Sequence, residues 1–363
     1  MRITFIVSSL WLSGGVRVVV EYANRMAQRG HNVSLVFPRG THSVEIDAEI
    51  SSAVRVIETQ VSIMEALGFW GKIRLVASMI SAIPRCDVVI STHTPTTIAA
   101  FFACSVGHKG LPVWFYQDYP GMFEGRPIEV WLLKNAMHWH KAALVVSSYS
   151  ADEIKMLSKK EGIVVGEGIS HLELFQSFRG YYRNNRNANL SILYLGDYRP
   201  RKGLSDFLKG AELVYDQRPD IELWIALKDS GEVDCRIPHR IIIHPSIHEL
   251  AQLYATCDLF VSASWYEGFG LPPLEAMACG APVVTTDSGG VREYVRSGEN
   301  CLLVPPKDPE KLAEAMLTVL NSPELAAKFR ENGPITADEY TWEKATDRFE
   351  KALFQITGIN NHI

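Results

Sequence analysis

The chain has 363 residues, of which 47% are hydrophobic and 21% charged, a balance typical of an ordinary soluble globular protein of about two domains. A net charge of −5 argues against a nucleic-acid-binding protein held by a broad basic surface. Six cysteines occur without a C-x-x-C pair, which favours reduced core thiols in a cytosolic protein over a zinc site.

The first forty residues indicate the start of an α/β domain. Residues 3–7 predict a first strand, because this apolar run is too short for a signal peptide. A turn with Gly14 and Gly15 follows, then a helical pattern over 16–29 and a second strand over 31–37. This order is a Rossmann-like opening. The G-x-G-x-x-G fingerprint is absent, which disfavours a dehydrogenase.

Residues 61–85 have the pattern of one helix that carries both large apolar and basic side chains. Phe69 and Trp70 lie close in sequence to Lys72 and Arg74. Two interpretations stay open, a helix that packs on the core with a solvated basic edge and a helix that lies on a membrane interface. The core-facing helix is the favoured one.

Polar side chains follow two predicted strands of the first half. The strand over 87–91 is followed by His93, and the strand over 113–116 is followed by Gln117 and Asp118. Because the carboxyl ends of parallel strands face the ligand in open α/β sheets, these side chains are candidates for a site. A lone histidine at a strand end is more often structural, so His93 is the second choice here.

Three signals set further boundaries. Ser150, followed three residues later by Glu153, has the pattern of a capping box and predicts a helix start. The polar run over 179–189 predicts a linker between domains. Pro334 is expected to mark a hinge before a last helix that starts near Trp342.

The most informative stretch is a strand, a glycine turn and a short helix between residues 258 and 280. Glu267 follows the strand, the turn Gly268-Phe269-Gly270 comes next, and two prolines then suit the first turn of a helix. A strand, a glycine turn and a helix N-terminus together form an anion site. Glu267 and Glu275 beside that site suit hydroxyl groups, so a phosphorylated, polyhydroxyl ligand is indicated.

Glu267 and Glu275 have seven residues between them, and this spacing resembles the E-x7-E motif of family-four retaining glycosyltransferases. The resemblance continues through residues 275–284 to Gly289 and Gly290. It implies the GT-B fold, an α/β architecture of two facing Rossmann-like doubly wound domains with a cleft between them.

The resemblance also implies the domain limits. Residues 1–170 would form an N-terminal acceptor domain, completed by a C-terminal helix over 338–363. Residues 171–337 would form the donor domain for the nucleotide sugar.

The same resemblance assigns roles to side chains. Glu275 would hold the ribose hydroxyls and Glu267 those of the donor sugar, while Lys202 would bind the donor phosphates. The candidate catalytic residues are Glu267, Asp118 and Gln117. The candidate donor-binding residues are Gly14, Gly15, Arg199, Arg201, Lys202, Ile247, Gly268, Phe269, Gly270, Leu271 and Glu275.

The chain departs from the family pattern at two places. Many relatives have histidine where this chain has Gln117, which can form hydrogen bonds but cannot act as a base. Relatives have arginine where this chain has Asp197. Arg199 or Arg201 is close enough in sequence to supply a guanidinium for the phosphates instead, and the choice between them stays open.

The resemblance implies a retaining glycosyltransferase that moves a sugar from a nucleoside diphosphate sugar to an acceptor hydroxyl in polysaccharide or glycoconjugate biosynthesis. The chain contains no D-x-D triplet, so neither a metal nor another cofactor is expected. The expected partners are the nucleotide sugar and a glycan or lipid-linked acceptor, in the cytoplasm or at the inner face of the membrane, with peripheral contact through the first domain. The alternatives are a non-catalytic nucleotide-sugar-binding protein and another GT-B enzyme, such as a nucleotide-sugar 2-epimerase.

Overall fold

A computed structural model describes residues 1–11, 13–181 and 189–359 of the chain. The chain divides into two compact units. Unit 1 comprises Met1–Glu167 and Glu343–Ile363, and unit 2 comprises Gly168–Trp342. Each unit is an α/β domain on a parallel sheet. The predicted α/β class is therefore confirmed.

Unit 1 is built on a sheet of seven described strands that all pair in parallel. The strands are β1 (Arg2–Ile6), β2 (Asn32–Arg39), β3 (Arg55–Ser62), β4 (Val88–Ser91), β5 (Leu111–Tyr116), β6 (Ala142–Val145) and β7 (Gly162–Val164). Their order across the sheet is β3-β2-β1-β4-β5-β6-β7. The order reverses direction between β1 and β4, and this switch point is where open α/β sheets bind ligands.

Six helices connect the strands of unit 1 within the described residues. They are α1 (Gly14–Gln28), α2 (Val44–Glu49), α3 (Gly68–Ala82), α4 (Thr97–Ser105), α5 (Pro127–Trp139) and α6 (Ser148–Ser158). The central strands are apolar along nearly their whole length, and Phe5, Val89 and Phe115 are completely buried. Such continuous apolar strands are typical of a parallel sheet that helices cover on both faces.

Unit 2 repeats this architecture with six described strands. They are β8 (Leu190–Gly196), β9 (Ile221–Leu227), β10 (His239–Ile243), β11 (Leu259–Ser262), β12 (Val283–Thr286) and β13 (Leu302–Val304), in the order β10-β9-β8-β11-β12-β13. Its helices are α7 (Leu172–Ser177), α8 (Leu204–Tyr215), α9 (Ile247–Thr256), α10 (Leu271–Ala278), α11 (Pro309–Asn321) and α12 (Pro323–Ala337). The order switches between β8 and β11, so the carboxyl ends of these two strands are where a ligand is expected.

The last helix, α13 (Trp342–Thr357), continues from the end of unit 2 into unit 1. Its Phe349 ring stacks on Tyr22 with 4.2 Å between ring centroids and lies edge-on to Phe115. Both partners are fully buried. The helix therefore completes the core of unit 1 from the other end of the chain.

The helix predicted over 61–85 is wrong in its first part. Residues up to Ser62 continue β3, and α3 begins only at Gly68. Pairing with β2 prevails over the helical pattern there, because the segment is rich in β-branched residues. The preferred core-facing interpretation is wrong for the start of α3, where Phe69 and Trp70 are 69% and 75% exposed, whereas Met79 is buried.

Two predicted boundaries also need correction. The side chain of Ser147, not Ser150, caps α6, and its oxygen accepts the N–H of Ser150 at 3.1 Å. Pro334 lies inside α12, so it does not mark a hinge. α12 packs closely on α10 there, since a Cβ at Gly333 would lie 3.3 Å from the Met277 side chain.

The polar run over 179–189 falls largely on residues 182–188, which lie outside the described residues. Arg179 at its start belongs to unit 2. Its guanidinium donates to the Asp338 carboxylate at 2.5 Å and to the carbonyl of Ala278 at 2.8 Å. Arg179 is thus fixed to the body of unit 2.

Candidate active site

The predicted strand, glycine turn and helix are present in unit 2. β11 ends at Ser262, and α10 begins at Leu271 with Gly270 as its N-cap residue at φ 88°. This positive φ favours glycine and lets the chain reverse from strand to helix within a few residues. The N-terminus of α10 therefore follows the carboxyl end of β11, and the helix dipole favours an anion there, although Pro272 and Pro273 in the first turn carry no N–H.

Glu267 is held by two cations. Its Oε1 lies 2.7 Å from Nζ of Lys202, and its Oε2 lies 3.4 Å from Nη1 of Arg201. The hydroxyl of Ser264 donates to Oε1 at 2.8 Å. Burial by itself raises the pKa of Glu267, but the charges of Lys202 and Arg201 outweigh burial and hold that pKa below its ordinary value of 4.5. The carboxylate is therefore ionised at neutral pH.

A close backbone contact brings the two cations to this position. A Cβ at Gly203 would lie 1.9 Å from the carbonyl oxygen of Ala263, and Gly203 has φ 70°. The N–H of Trp265 also donates to the carbonyl of Arg201 at 2.7 Å. Only glycine allows the turn after β8 to lie this close to the end of β11.

A second loop fixes the backbone of Glu267. Its N–H donates to the carbonyl of Ser288 at 2.8 Å, and its carbonyl accepts the N–H of Gly290 at 3.0 Å. A Cβ at Gly290 would lie 2.3 Å from the carbonyl oxygen of Gly268. The predicted Gly289-Gly290 pair therefore allows the loop after β12 to pack on the glycine turn.

Glu275 lies one turn into α10 and is partly exposed. The hydroxyl of Tyr254 donates to its Oε2 at 3.3 Å. Burial and the neighbouring carboxylate raise the pKa of Tyr254 well above its ordinary value of 10.0, so this hydroxyl keeps its proton. Tyr254 and Ser264 thus orient the two glutamates. Ser264 stands three residues before Glu267, whereas the sequence gives no signal for Tyr254.

Asp197, the departure from the family pattern, forms an ion pair with Arg199. Its carboxylate accepts the backbone N–H and Nε of Arg199, both at 2.9 Å. Burial raises the pKa of Asp197, but these bonds and the guanidinium charge outweigh it and hold that pKa below its ordinary value. The sequence leaves open whether Arg199 or Arg201 serves the phosphates, and Arg201 is the arginine that contacts Glu267.

A cavity of about 530 Å³ lies beside the ion pair of Asp197 and Arg199. It is lined by Asp197, Tyr198, Arg199, Pro200, Lys228 and Asp229.

The remaining donor-binding candidates of unit 2 lie at strand ends and helix starts. Phe269 is buried against Tyr294 and Tyr340 at 5.9 and 5.8 Å between ring centroids, whereas Gly268 and Leu271 are partly exposed. Ile247 starts α9 behind the cap residue Ser246 and is also partly exposed.

The candidates of unit 1 meet at the switch point of its sheet. Gly14 and Gly15 start α1 after β1, and Gln117 and Asp118 follow β5. A Cβ at Gly15 would lie 2.7 Å from Oε1 of Gln117, so the glycine leaves room for this side chain. Asp118 is buried, and it contacts Nδ1 of His93 after β4. Unit 1 therefore brings all four candidates to one edge of its sheet, together with His93.

Among the described residues, no group of three histidine, cysteine, aspartate or glutamate side chains is arranged to hold a metal ion. In the same part of the chain, no helix combines the length and apolar character that crossing a membrane requires.

Two family models match the chain one after the other. Residues 12–168 match the model described as Glycosyltransferase Family 4, and residues 183–336 match the model described as Glycosyl transferases group 1. The chain belongs to glycosyltransferase family four. The predicted family is confirmed, and the two matches together cover most of this family-four chain.

Curated relatives agree with this membership. An uncharacterised glycosyltransferase of Methanocaldococcus jannaschii is 28% identical over 59% of this chain and 59% of its own. An MMP alpha-(1->4)-mannosyltransferase of Mycolicibacterium hassiacum is 32% identical over 59% of this chain and 55% of its own. The family-four chain is thus matched over little more than half the length of these curated relatives.

A solved structure shows the fold. The Anabaena protein HepE, in complex with UDP and glucose, superposes with a TM-score of 0.80 and 17% identity over 98% of this chain and 100% of HepE. The predicted GT-B fold of the family-four chain is confirmed by this likeness.

Proposed function

We propose that this chain transfers a sugar from a nucleoside diphosphate sugar to the hydroxyl of an acceptor. The observation that carries the proposal is the position of Glu267 between Lys202 and Arg201, next to the N-terminus of α10. Family membership supports it, and so do the UDP and glucose bound to HepE.

The charges of this cluster suit a leaving diphosphate. Lys202 and Arg201 each carry +1 and Glu267 carries −1, so the three side chains sum to +1. The dipole of α10 adds partial positive charge at its N-terminus, although Pro272 and Pro273 in its first turn carry no N–H. Fixed charges of this kind stabilise the charge that develops on a leaving group, which is commonly the largest catalytic contribution. Glu267 is left to accept hydrogen bonds from sugar hydroxyls, and Glu275 from the ribose.

We also propose that transfer proceeds with retention of the anomeric configuration and serves polysaccharide or glycoconjugate synthesis. By the family resemblance, the acceptor attacks from the face that the diphosphate leaves, and a phosphate oxygen takes the acceptor's proton. No protein nucleophile is required. Proton NMR of the first-formed product tests this: an axial anomeric proton in the donor and in the product, or an equatorial one in both, supports retention, and a change between them contradicts it.

We propose that the reaction requires no metal ion or further cofactor, because Lys202 and Arg201 supply the positive charge and the sequence has no D-x-D triplet. Turnover is then expected to be unchanged by excess EDTA. A loss of turnover that added Mg²⁺ or Mn²⁺ restores would contradict the proposal.

We propose a cytoplasmic protein that contacts an anionic membrane surface peripherally, and the exposed start of α3 supports the contact. Leu67, Phe69 and Trp70 are exposed there, and the exposed Lys72 and Arg74 lie in the same helix. Exposed aromatic and basic side chains on one helix suit the interface of an anionic bilayer. Co-sedimentation with phosphatidylglycerol vesicles should decrease when Phe69 and Trp70 are both replaced by Ser, and unchanged binding would contradict the contact.

The function is tested by a thermal-shift screen of nucleoside diphosphate hexoses that includes UDP-glucose and GDP-mannose. A bound donor raises the melting temperature, because it binds the folded state alone. Release of the diphosphate from that donor, with the sugar recovered on an acceptor or in water, supports a transferase. Binding without release or chemical change of the sugar indicates a nucleotide-sugar-binding protein, and inversion of the sugar at C2, whether it stays on the diphosphate or is released, indicates a 2-epimerase.

A further inference from the structure

A histidine and an aspartate from neighbouring strand ends form a pair in unit 1. His93 follows β4 and Asp118 follows β5, and Nδ1 of His93 contacts Oδ1 of Asp118. The Asp118 side chain is 2% exposed, and the His93 side chain is 25% exposed. The pair therefore has a buried carboxylate behind an imidazole that reaches the surface.

Asp118 fixes the direction of the imidazole ring. Its Oδ2 accepts the backbone N–H of Thr94 at 2.6 Å, which anchors the carboxylate, and its Oδ1 faces Nδ1 of His93. The ring also packs 5.9 Å from Phe123, centroid to centroid. A neutral imidazole that donates Nδ1–H to a carboxylate keeps its lone pair on Nε2. In the neutral ring, Nε2 is then an oriented hydrogen-bond acceptor.

Two polar atoms on the residues that flank the pair in sequence lack partners. Nε2 of Gln117 and Oγ1 of Thr94 are buried and have no hydrogen-bond partner among the described residues. Gln117 directly precedes Asp118, and Thr94 directly follows His93. Because buried polar atoms are nearly always hydrogen-bonded, the unsatisfied atoms on the residues that flank the pair in sequence indicate that the polar contacts of these two strand ends are incomplete.

We propose that Nε2 of His93 accepts a hydrogen bond from a hydroxyl of the acceptor substrate, and that Asp118 is its positioning residue. This inference rests on the proposed glycosyl transfer. The ligand class is a sugar or another polyhydroxyl compound, because the residues next to the pair in sequence, Gln117 and Thr94, are neutral and the pair itself includes the acid Asp118. The Asp118 carboxylate disfavours a phosphate group, whereas a hydroxyl can donate to Nε2 of His93.

The test uses long-range proton–nitrogen NMR of the histidine rings in the ¹⁵N-labelled chain, deuterated except for its histidine rings, with methyl α-glucoside and inorganic phosphate as probes, each with and without UDP. The His93 signals are assigned by their loss in His93→Gln. We expect the Nδ1–H tautomer, a saturable shift on addition of the glucoside, and no shift with phosphate. Exposed His138 is the control ring and should not respond.

Variants complete the test. Asp118→Asn should change the tautomer of His93, and His93→Gln should weaken glucoside binding about tenfold, the size expected for one lost hydrogen bond. UDP binding by calorimetry should stay unchanged in His93→Gln and in the control His138→Gln. The Nε2–H tautomer, a shift with phosphate alone, or no response to the glucoside would overturn the inference. Failure of the wild type to bind any nucleotide sugar would instead refute the proposed function, while the tautomer and the glucoside response are read independently of it.

Discussion

Nζ of Lys202 lies 2.7 Å from Oε1 of Glu267, although 65 residues separate the two in the sequence. Their side chains are 17% and 16% exposed, so water screens the pair only partly. The turn after β8 and the turn after β11 are thus joined by one charge pair at the switch point of the unit 2 sheet.

Replacing Lys202 by Met should weaken binding of UDP about ten- to a hundredfold, because a charged hydrogen bond to phosphate contributes about 1.5–3 kcal/mol. Titration calorimetry with UDP measures the effect. Lys209→Met, on the exposed face of α8, is the matched control and should bind UDP like the wild type. Equal affinity in the two variants would contradict a phosphate-binding role for Lys202.

The two arginines near Asp197 should differ in their effect on turnover. Arg201 contacts Glu267, whereas Arg199 is bound to Asp197 and its side chain is 58% exposed. Arg201→Met is therefore expected to lower kcat/KM for the donor at least tenfold, and Arg199→Met much less. Steady-state release of the nucleoside diphosphate compares the two. A larger loss in Arg199→Met would show that the wrong arginine has been assigned.

The stability that Glu267 contributes should depend on pH. Its pKa in the folded chain is held below 4.5, so its ionised form stabilises the fold above that pH, and this contribution is lost as the pH falls through the lowered pKa. The difference in urea midpoint between the wild type and Glu267→Gln should therefore be largest near pH 7 and shrink below pH 4.5. The exposed Glu299→Gln serves as control. A difference that does not vary with pH would rule out this account of Glu267.

Gly290→Ala should destabilise unit 2 by about 1–3 kcal/mol, the usual cost of forcing an extra methyl group into a packed site. The new Cβ would lie 2.3 Å from the carbonyl oxygen of Gly268, so the glycine turn must move. Denaturant unfolding measures the change. Gly14→Ala is the stability control, because among the described residues no atom outside its chain neighbours and its own helix backbone lies within 4 Å of its Cβ position. Equal stability of the two variants would mean that the two loops are not in close contact.

Much of unit 2 is predictable from local sequence. The structure from β11 through Glu267 to α10 is predicted correctly, because strand composition, glycines and two prolines all indicate a strand, a turn and a helix. The contact partners of Glu267 are not predictable in this way. The choice of Arg201 over Arg199 depends on the close approach of Gly203 to Ala263, which no local pattern encodes.

Unit 1 shows the same limit. Gln117 and Asp118 are expected at a strand end, and they lie there. The partner of Asp118 follows a different strand, so the pair with His93 appears only once β4 and β5 are side by side. The predicted start of α3 is wrong for a related reason, since pairing of β3 with β2 extends the strand to Ser62.

The most direct test compares turnover of a nucleotide sugar by the wild type and by Glu267→Gln. The donor is the one that raises the melting temperature in the thermal-shift screen, and release of the nucleoside diphosphate is followed in a single turnover. Glu267 is proposed to contact the donor sugar, so the variant should still bind UDP while its rate falls about a hundredfold or more, the range seen when one fixed group at a developing charge is removed. Glu299→Gln should turn over like the wild type. An unchanged rate in Glu267→Gln, with the donor bound normally, would contradict the central claim.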